Sequence, residues 1–357
     1  MRNVWLLSAL VLLAACALES PGELAGEKGV EDLEPASARL IGRFDVRESG
    51  SAAFTWPGSA MAFRFSGTAA SLKIQSAGRV RFQVTVDGGE GADLWVSEGL
   101  HRYELVSGLS AGEHTIRITR LGESFEGTTV FASAPEVEGR LLSPPTAPQR
   151  QLLFLGDSIT AGYGVEGETA QCPYAQETSN PLLTYASVAA DALDAEAHLI
   201  AWSGIGVWRS YGEDVSEQPT LIERRRRTLA LEPQPQWDVQ RYRPDAVMIA
   251  IGTNDFWTGS APGYHNAMQS LLAQLRTDYP RVPFYLIASP MLSAEARESQ
   301  VAVLQSLAND NNIHFLDLGK IEPEEGYGCD YHPNVMTQAR LGHNLEKVLA
   351  RDLGWGG

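Results

Sequence analysis

Leu152-Leu153-Phe154-Leu155-Gly156-Asp157-Ser158-Ile159-Thr160-Ala161-Gly162-Tyr163-Gly164 decides how the chain is read. Its unbroken apolar start, Leu152 to Leu155, predicts a strand buried on both faces, as in a parallel sheet. Gly156-Asp157-Ser158 ends that run, which puts a serine at the carboxyl end of a parallel strand, where open α/β sheets bind ligands. Asp and Ser are also good helix caps, so Ser158 taken alone reads as a cap.

Downstream of this stretch, strand-like and helix-like runs alternate. Strands are predicted at 152–155, 197–201, 246–251, 284–288 and 313–316, and helices at 181–193, 219–231, 264–278, 295–309 and 335–353. Under the right-handed crossover rule this is a doubly wound, five-stranded parallel α/β sheet of flavodoxin-like type. Upstream, residues 39–137 have period two. Arg79 to Asp87 alternates polar and apolar residues, then turns at Asp87-Gly88-Gly89. Further short strands, including Met61 to Phe65 and Ser71 to Ile74 with a turn at Ser66-Gly67, predict an antiparallel, jelly-roll-like β-sandwich. Nothing in the sandwich reads as catalytic. His101 and His114 read as structural, and Trp56 and Trp95 as core or rim packing.

The domain plan is therefore a leader at 1–15, a tether at 16–38, a sandwich at 39–143, a Pro-rich linker at 144–150 and an α/β domain at 151–357. The leader is apolar from Val4 to Ala15 except for Ser8, too short for a membrane span and suited to a secretory signal. Leu13-Ala14-Ala15-Cys16 resembles the bacterial lipoprotein cleavage box, which implies a lipidated Cys16 and an exported protein held at the bacterial cell envelope. Export leaves Cys172 and Cys329 in an oxidising compartment, where an even pair predicts one disulfide. The formal net charge of −16 argues against nucleic-acid partners. The run Arg224-Arg225-Arg226-Arg227 reads as the solvated face of the 219–231 helix.

The segments after the parallel strands carry the chemistry. They are Gly156-Asp157-Ser158, Trp202-Ser203-Gly204-Ile205-Gly206, Gly252-Thr253-Asn254-Asp255 and Gly328-Cys329-Asp330-Tyr331-His332-Pro333-Asn334. One sheet edge collects them all. Acyl transfer needs a nucleophile, a base and oxyanion donors. Ser158 suits the first and His332 the second. The Ser158 and Gly204 N–H groups and the Asn254 amide suit the third. The Gly-x-Ser-x-Gly elbow of α/β-hydrolases is absent, because Thr160 follows Ser158 at two residues.

These blocks resemble those of the SGNH (GDSL-type) hydrolases, which supply Ser, Gly, Asn and His in this order. The match is closer to carbohydrate esterase family 2, which also pairs an N-terminal sandwich with an SGNH domain. Ala201-Trp202-Ser203-Gly204, Trp237-Asp238, Arg243-Pro244-Asp245, Gly252 to Phe256 and Cys329 to Asn334 carry the resemblance. It implies removal of O-acetyl groups from polysaccharides such as xylan and mannan, with no metal or organic cofactor. Many SGNH enzymes place a triad Asp three residues before His. Here that position is Cys329, and Asp330 lies two before. Asp330 is expected to orient His332. In a turn, the alternative is that Asp330 caps the last helix and a backbone carbonyl orients the imidazole. Tyr163, Trp208, Trp257 and Tyr331 are candidates for a sugar-stacking wall. Rival readings are another SGNH esterase, lipase or thioesterase, and a non-catalytic carbohydrate-binding lipoprotein. A monomer is expected.

Overall fold

The computed structural model describes residues 37–214, 217–308 and 312–356. The leader, Cys16 and nearly all of the tether lie outside them. The N-terminal domain is antiparallel. Its strands are β1 (Ala38–Ile41), β2 (Asp45–Val46), β3 (Ala52–Phe54), β4 (Ala60–Ser76), β5 (Val80–Val86), β6 (Ala92–Val96), β7 (Gly99–Val106), β8 (Gly112–Arg120), β9 (Thr129–Phe131) and β10 (Glu136–Leu142). The turn expected at Ser66-Gly67 does not form, and β4 runs through it for 17 residues. Gly67 is there for close approach: a Cβ would fall 1.9 Å from the Glu138 carbonyl oxygen of β10. This length lets β4 pair with β1 and β8 through its first half, with β10 across its middle and with β7 and β9 through its second half. Phe44, Phe54, Phe63, Phe65, Phe82 and Phe131 fill the core between the layers. His114 is held at the surface by Asp87 at 2.8 Å, a structural place.

The α/β domain orders its parallel strands β12 (Ala195–Ala201), β11 (Arg150–Gly156), β13 (Ala246–Ala250), β14 (Phe284–Ile287) and β15 (Ile313–Leu316). The run that opened the sequence, as β11, sits between two neighbours, and so it needed apolar side chains on both faces. Leu153 and Leu155 pack toward α5 (Tyr264–Asp278) and α6 (Ala294–Leu307). Leu152 and Phe154 pack toward α2 (Tyr185–Ala192) and α7 (Val335–Asp352). The remaining helices, α1 (Ser158–Ala161), α3 (Leu221–Arg224) and α4 (Thr253–Phe256), are single turns at the sheet edge or beside it.

The helix expected at 219–231 shrinks to α3. Beyond it the backbone turns to the sandwich for its hydrogen bonds. The Arg43 guanidinium donates to the Arg225 and Arg227 carbonyls, Trp56 Nε1 donates to the Thr228 carbonyl at 2.9 Å, and Ala230 N–H donates to Thr55 Oγ1 at 2.8 Å. The arginine run is consequently no solvated face. Arg224 lies over the Trp202 ring at 3.8 Å, and Arg225 pairs with Asp278 at 2.6 Å. Both are buried. Trp56, from the sandwich, is 1% exposed within the core of the α/β domain. The two domains therefore share apolar surface as well as polar contacts.

Trp56→Ala should lower unfolding stability by about 3–5 kcal/mol, through a cavity and an orphaned carbonyl. Urea unfolding checks this. A change under about 1 kcal/mol would mean that the domains do not stabilise each other there.

Candidate active site

All four motif segments meet at the carboxyl edge of the parallel sheet. Ser158 is the first residue of α1, capped by Asp157, whose carboxylate accepts from the Ile159 N–H at 3.0 Å. His332 lies 174 residues later, yet its Nε2 is 2.8 Å from Ser158 Oγ. His332 Nδ1 is 3.1 Å from the Cys329 carbonyl oxygen and 3.1 Å from that of Asp330. A carbonyl can only accept, so the ring proton sits on Nδ1 and Nε2 is left to accept from the serine hydroxyl.

The Asp330 carboxylate does not orient the ring. It accepts from Tyr163 Oη at 2.5 Å and is exposed to solvent. The cause is local backbone geometry. Asp330 and Tyr331 both adopt left-handed φ, +49° and +60°, so the segment is a turn rather than an extended strand, and its carbonyls face His332. Nor does Asp330 cap the last helix. Asn334 does, accepting from the Thr337 N–H. The turn is secured from outside. Cys329 is bonded to Cys172, with Cα atoms 4.6 Å apart. The Cys329, Asp330 and Tyr331 N–H groups donate to the carbonyls of Gly164, Cys172 and Ala170.

Gly204 and Asn254 complete the constellation. Gly204 has φ +82°, a conformation that favours glycine, and its N–H donates to no acceptor among the described residues. Asn254 spends one amide hydrogen on the Ile205 carbonyl, at 2.7 Å, and lines the cleft. Its neighbour Asp255 fastens the same loop by accepting from the N–H groups of Val207, Trp208 and Arg209 at 3.0, 2.7 and 3.0 Å. Burial pushes the Asp157 carboxyl up to about 6, aided by the neighbouring Asp255 charge.

The cleft over Ser158 holds about 590 Å³. Of the four aromatics proposed from sequence, Tyr163, Trp257 and Tyr331 line it. Trp208 does not: its indole packs under Arg209 and beside Gly263. Three aromatics that sequence reasoning missed line it as well, Phe125, Tyr174 and Tyr211. Tyr174 and Tyr211 follow the first and second parallel strands, so the sheet-edge rule would have found them. Phe125 comes from the sandwich, and no local signal pointed to it. Tyr163 stacks on the His332 ring with centroids 4.3 Å apart. Among the described residues no cluster of acidic, His or Cys side chains could hold a metal.

Residues 40–145 match the family model described as Carbohydrate esterase 2 N-terminal, and residues 154–340 the GDSL-like Lipase/Acylhydrolase family. A solved family two carbohydrate esterase from Clostridium thermocellum, in complex with cellohexaose, is 31% identical and superposes with a TM-score of 0.84, covering 89% of this chain and 99% of that one. The chain belongs to the family two carbohydrate esterases. It is 32% identical over 322 residues to a cellulase/esterase, CelE, of Acetivibrio thermocellus, aligning 88% of this chain but spanning only 39% of that protein. It is 25% identical to an acetylxylan esterase / glucomannan deacetylase of Cellvibrio japonicus, with 89% of each chain aligned.

With His332 as the base for Ser158, its protonation state would set the working pH. Burial holds its pKa below the ordinary 6.5, against the opposing pull of the two carbonyls and of the Asp330 charge. The neutral, proton-accepting ring therefore persists into mild acid, and activity should be lost as pH falls through that lowered value. The acid limb of kcat/KM should have its midpoint below 6.5. Asp330→Asn removes a charge that raises the His332 pKa, so it should move that limb no higher, and it should cost less than about tenfold in kcat, against the roughly 10⁴ lost when a triad aspartate is neutralised. A drop of several powers of ten would return Asp330 to the catalytic unit.

Proposed function

We propose that the protein is a serine esterase that removes O-acetyl groups from β-linked plant polysaccharides of the xylan or glucomannan type. The observation that carries the chemistry is the 2.8 Å contact between Ser158 Oγ and His332 Nε2, with the imidazole proton committed to backbone carbonyls on the far side. Ser158 attacks the acetyl carbonyl while His332 takes its proton. The Ser158 and Gly204 N–H groups and the Asn254 amide receive the developing oxyanion. His332 then protonates the departing sugar oxygen and later activates water for deacylation. The working unit is a Ser158–His332 dyad oriented by main-chain carbonyls.

Two features support an acetylated sugar as substrate. The cleft is wide and open, and exposed aromatics, Phe125, Tyr211, Trp257 and Tyr331, stand around it as faces on which sugar rings can stack. The relatives named above are described as an acetylxylan esterase / glucomannan deacetylase and as a structure holding cellohexaose.

Acetate release from acetylated xylan and glucomannan should be efficient, and nitrophenyl acetate should be hydrolysed far faster than nitrophenyl octanoate. Equal or better rates on the long-chain ester would transfer the protein to lipase or thioesterase chemistry. We also infer an exported, lipid-anchored protein, on the strength of Leu13-Ala14-Ala15-Cys16. Cys16→Ser should move it from the membrane fraction to the soluble one. Unchanged membrane retention would refute the anchor.

A further inference from the structure

The sandwich reaches into the active site through one turn. Between β8 and β9, Ser124–Glu126 form a short 3-10 turn that carries Phe125 to the cleft wall and buries the Glu123 side chain beneath it. Arg120, itself buried, holds this turn by donating to the Gly122 and Glu123 carbonyls and to Thr129 Oγ1. Across the domain boundary Ser203 Oγ donates to Glu123 Oε1. Ser203 is the residue immediately before Gly204, and both line the cleft. A second tie runs parallel to it, from Tyr174 Oη of the α/β domain to Glu126 Oε1.

Around Gly204 the other anchors are few. Its carbonyl accepts from the Tyr211 N–H at 2.8 Å, the Trp202 carbonyl accepts from Ile205 at 3.2 Å, and the Ile205 carbonyl accepts from the Asn254 amide at 2.7 Å. Asp255 grips the loop only from Val207 onward. On the Ser203 side, Glu123 is the side-chain partner. We propose that Glu123 of the sandwich is a positioning residue for the oxyanion site: through Ser203 it sets the direction of the Gly204 N–H.

This rests on the reading of Gly204 as an oxyanion donor. An oxyanion donor is useful only if it points at the tetrahedral oxygen before the reaction begins, because reorganisation then costs nothing in the transition state. A carboxylate beside an oxyanion would oppose the developing charge. Burial answers that difficulty by pushing the Glu123 carboxyl up to about 8, so at neutral pH it is chiefly the uncharged acid. The sandwich then serves as part of the catalytic scaffold as well as a neighbour of it.

The experiment uses the full chain and a chromogenic acetyl ester. Ser203→Ala and Glu123→Ala should each lower kcat by about 10- to 100-fold while KM stays within about twofold, the signature of support given in the transition state alone. Glu123→Gln keeps an acceptor for Ser203 and no charge, and should recover to within about threefold of the parent. The double variant Glu123→Ala/Ser203→Ala should be no slower than the slower single one, because both remove the same bond. Thermal melts check folding. Should Glu123→Ala fail to fold, Ser203→Ala and Glu123→Gln decide the matter. Losses that multiply in the double variant, a Gln variant as slow as the Ala one, or Ser203→Ala at parental kcat would each overturn the positioning role. Ser158→Ala is run alongside. If it is inactive while the Glu123 and Ser203 variants are normal, only the positioning role falls. If it retains parental turnover, the esterase mechanism itself falls.

Discussion

A hydrogen bond between two side chains 174 residues apart, Ser158 Oγ to His332 Nε2, is the contact around which this molecule is built. Neither residue has the right geometry by itself. Ser158 is placed by the end of β11, the strand paired on both sides within the sheet, and by the Asp157 cap that starts α1 immediately. His332 is placed by a turn that runs through two consecutive left-handed residues, Asp330 and Tyr331. Such a conformation is unfavourable for Asp and more so for Tyr, so something must hold it. The Cys172–Cys329 bond and three backbone hydrogen bonds to the loop at 164–172 do so.

In the proposed mechanism this arrangement lets the imidazole dispense with a carboxylate. The third member of a triad selects a tautomer and steadies the ring. Two carbonyl oxygens perform the first task here, and the stacked Tyr163 ring contributes to the second. Carbonyls bring no full negative charge, so they stabilise an imidazolium less than an aspartate would. The lowered pKa of His332 follows from that balance, with burial outweighing the carbonyls. Asp330 then has a different place, hydrogen-bonded by the tyrosine that stacks on the ring.

The domain boundary is the second theme. Trp56 and Arg43 of the sandwich bond to the Arg225–Thr228 backbone, where the sequence pattern predicts a helix. Phe125 reaches the cleft wall from the same domain, and Glu123 lies buried beneath it against Ser203. A chain in which one domain completes both the core and the active-site wall of the other has reason to keep the two fixed together.

Much of this was legible in the sequence. The apolar runs and their flanking glycines set five parallel strands and the edge where their loops gather, because side-chain periodicity is a local property of strands and helices. That edge in turn named Ser158, Gly204, Asn254 and His332. The acidic residue two before His332 looked like a triad member because spacing along a chain is visible while the sign of φ is not. Only the folded turn, imposed by contacts with residues far away in sequence, decided that carbonyls and not the Asp330 carboxylate face the imidazole. The arginine run misled for a related reason. Four charges in a row read as solvated, but burial depends on partners, and Trp202 and Asp278 are supplied by distant segments. Phe125 and Glu123 belong to a domain with no catalytic motif, and only packing of one domain against the other brings them to the site.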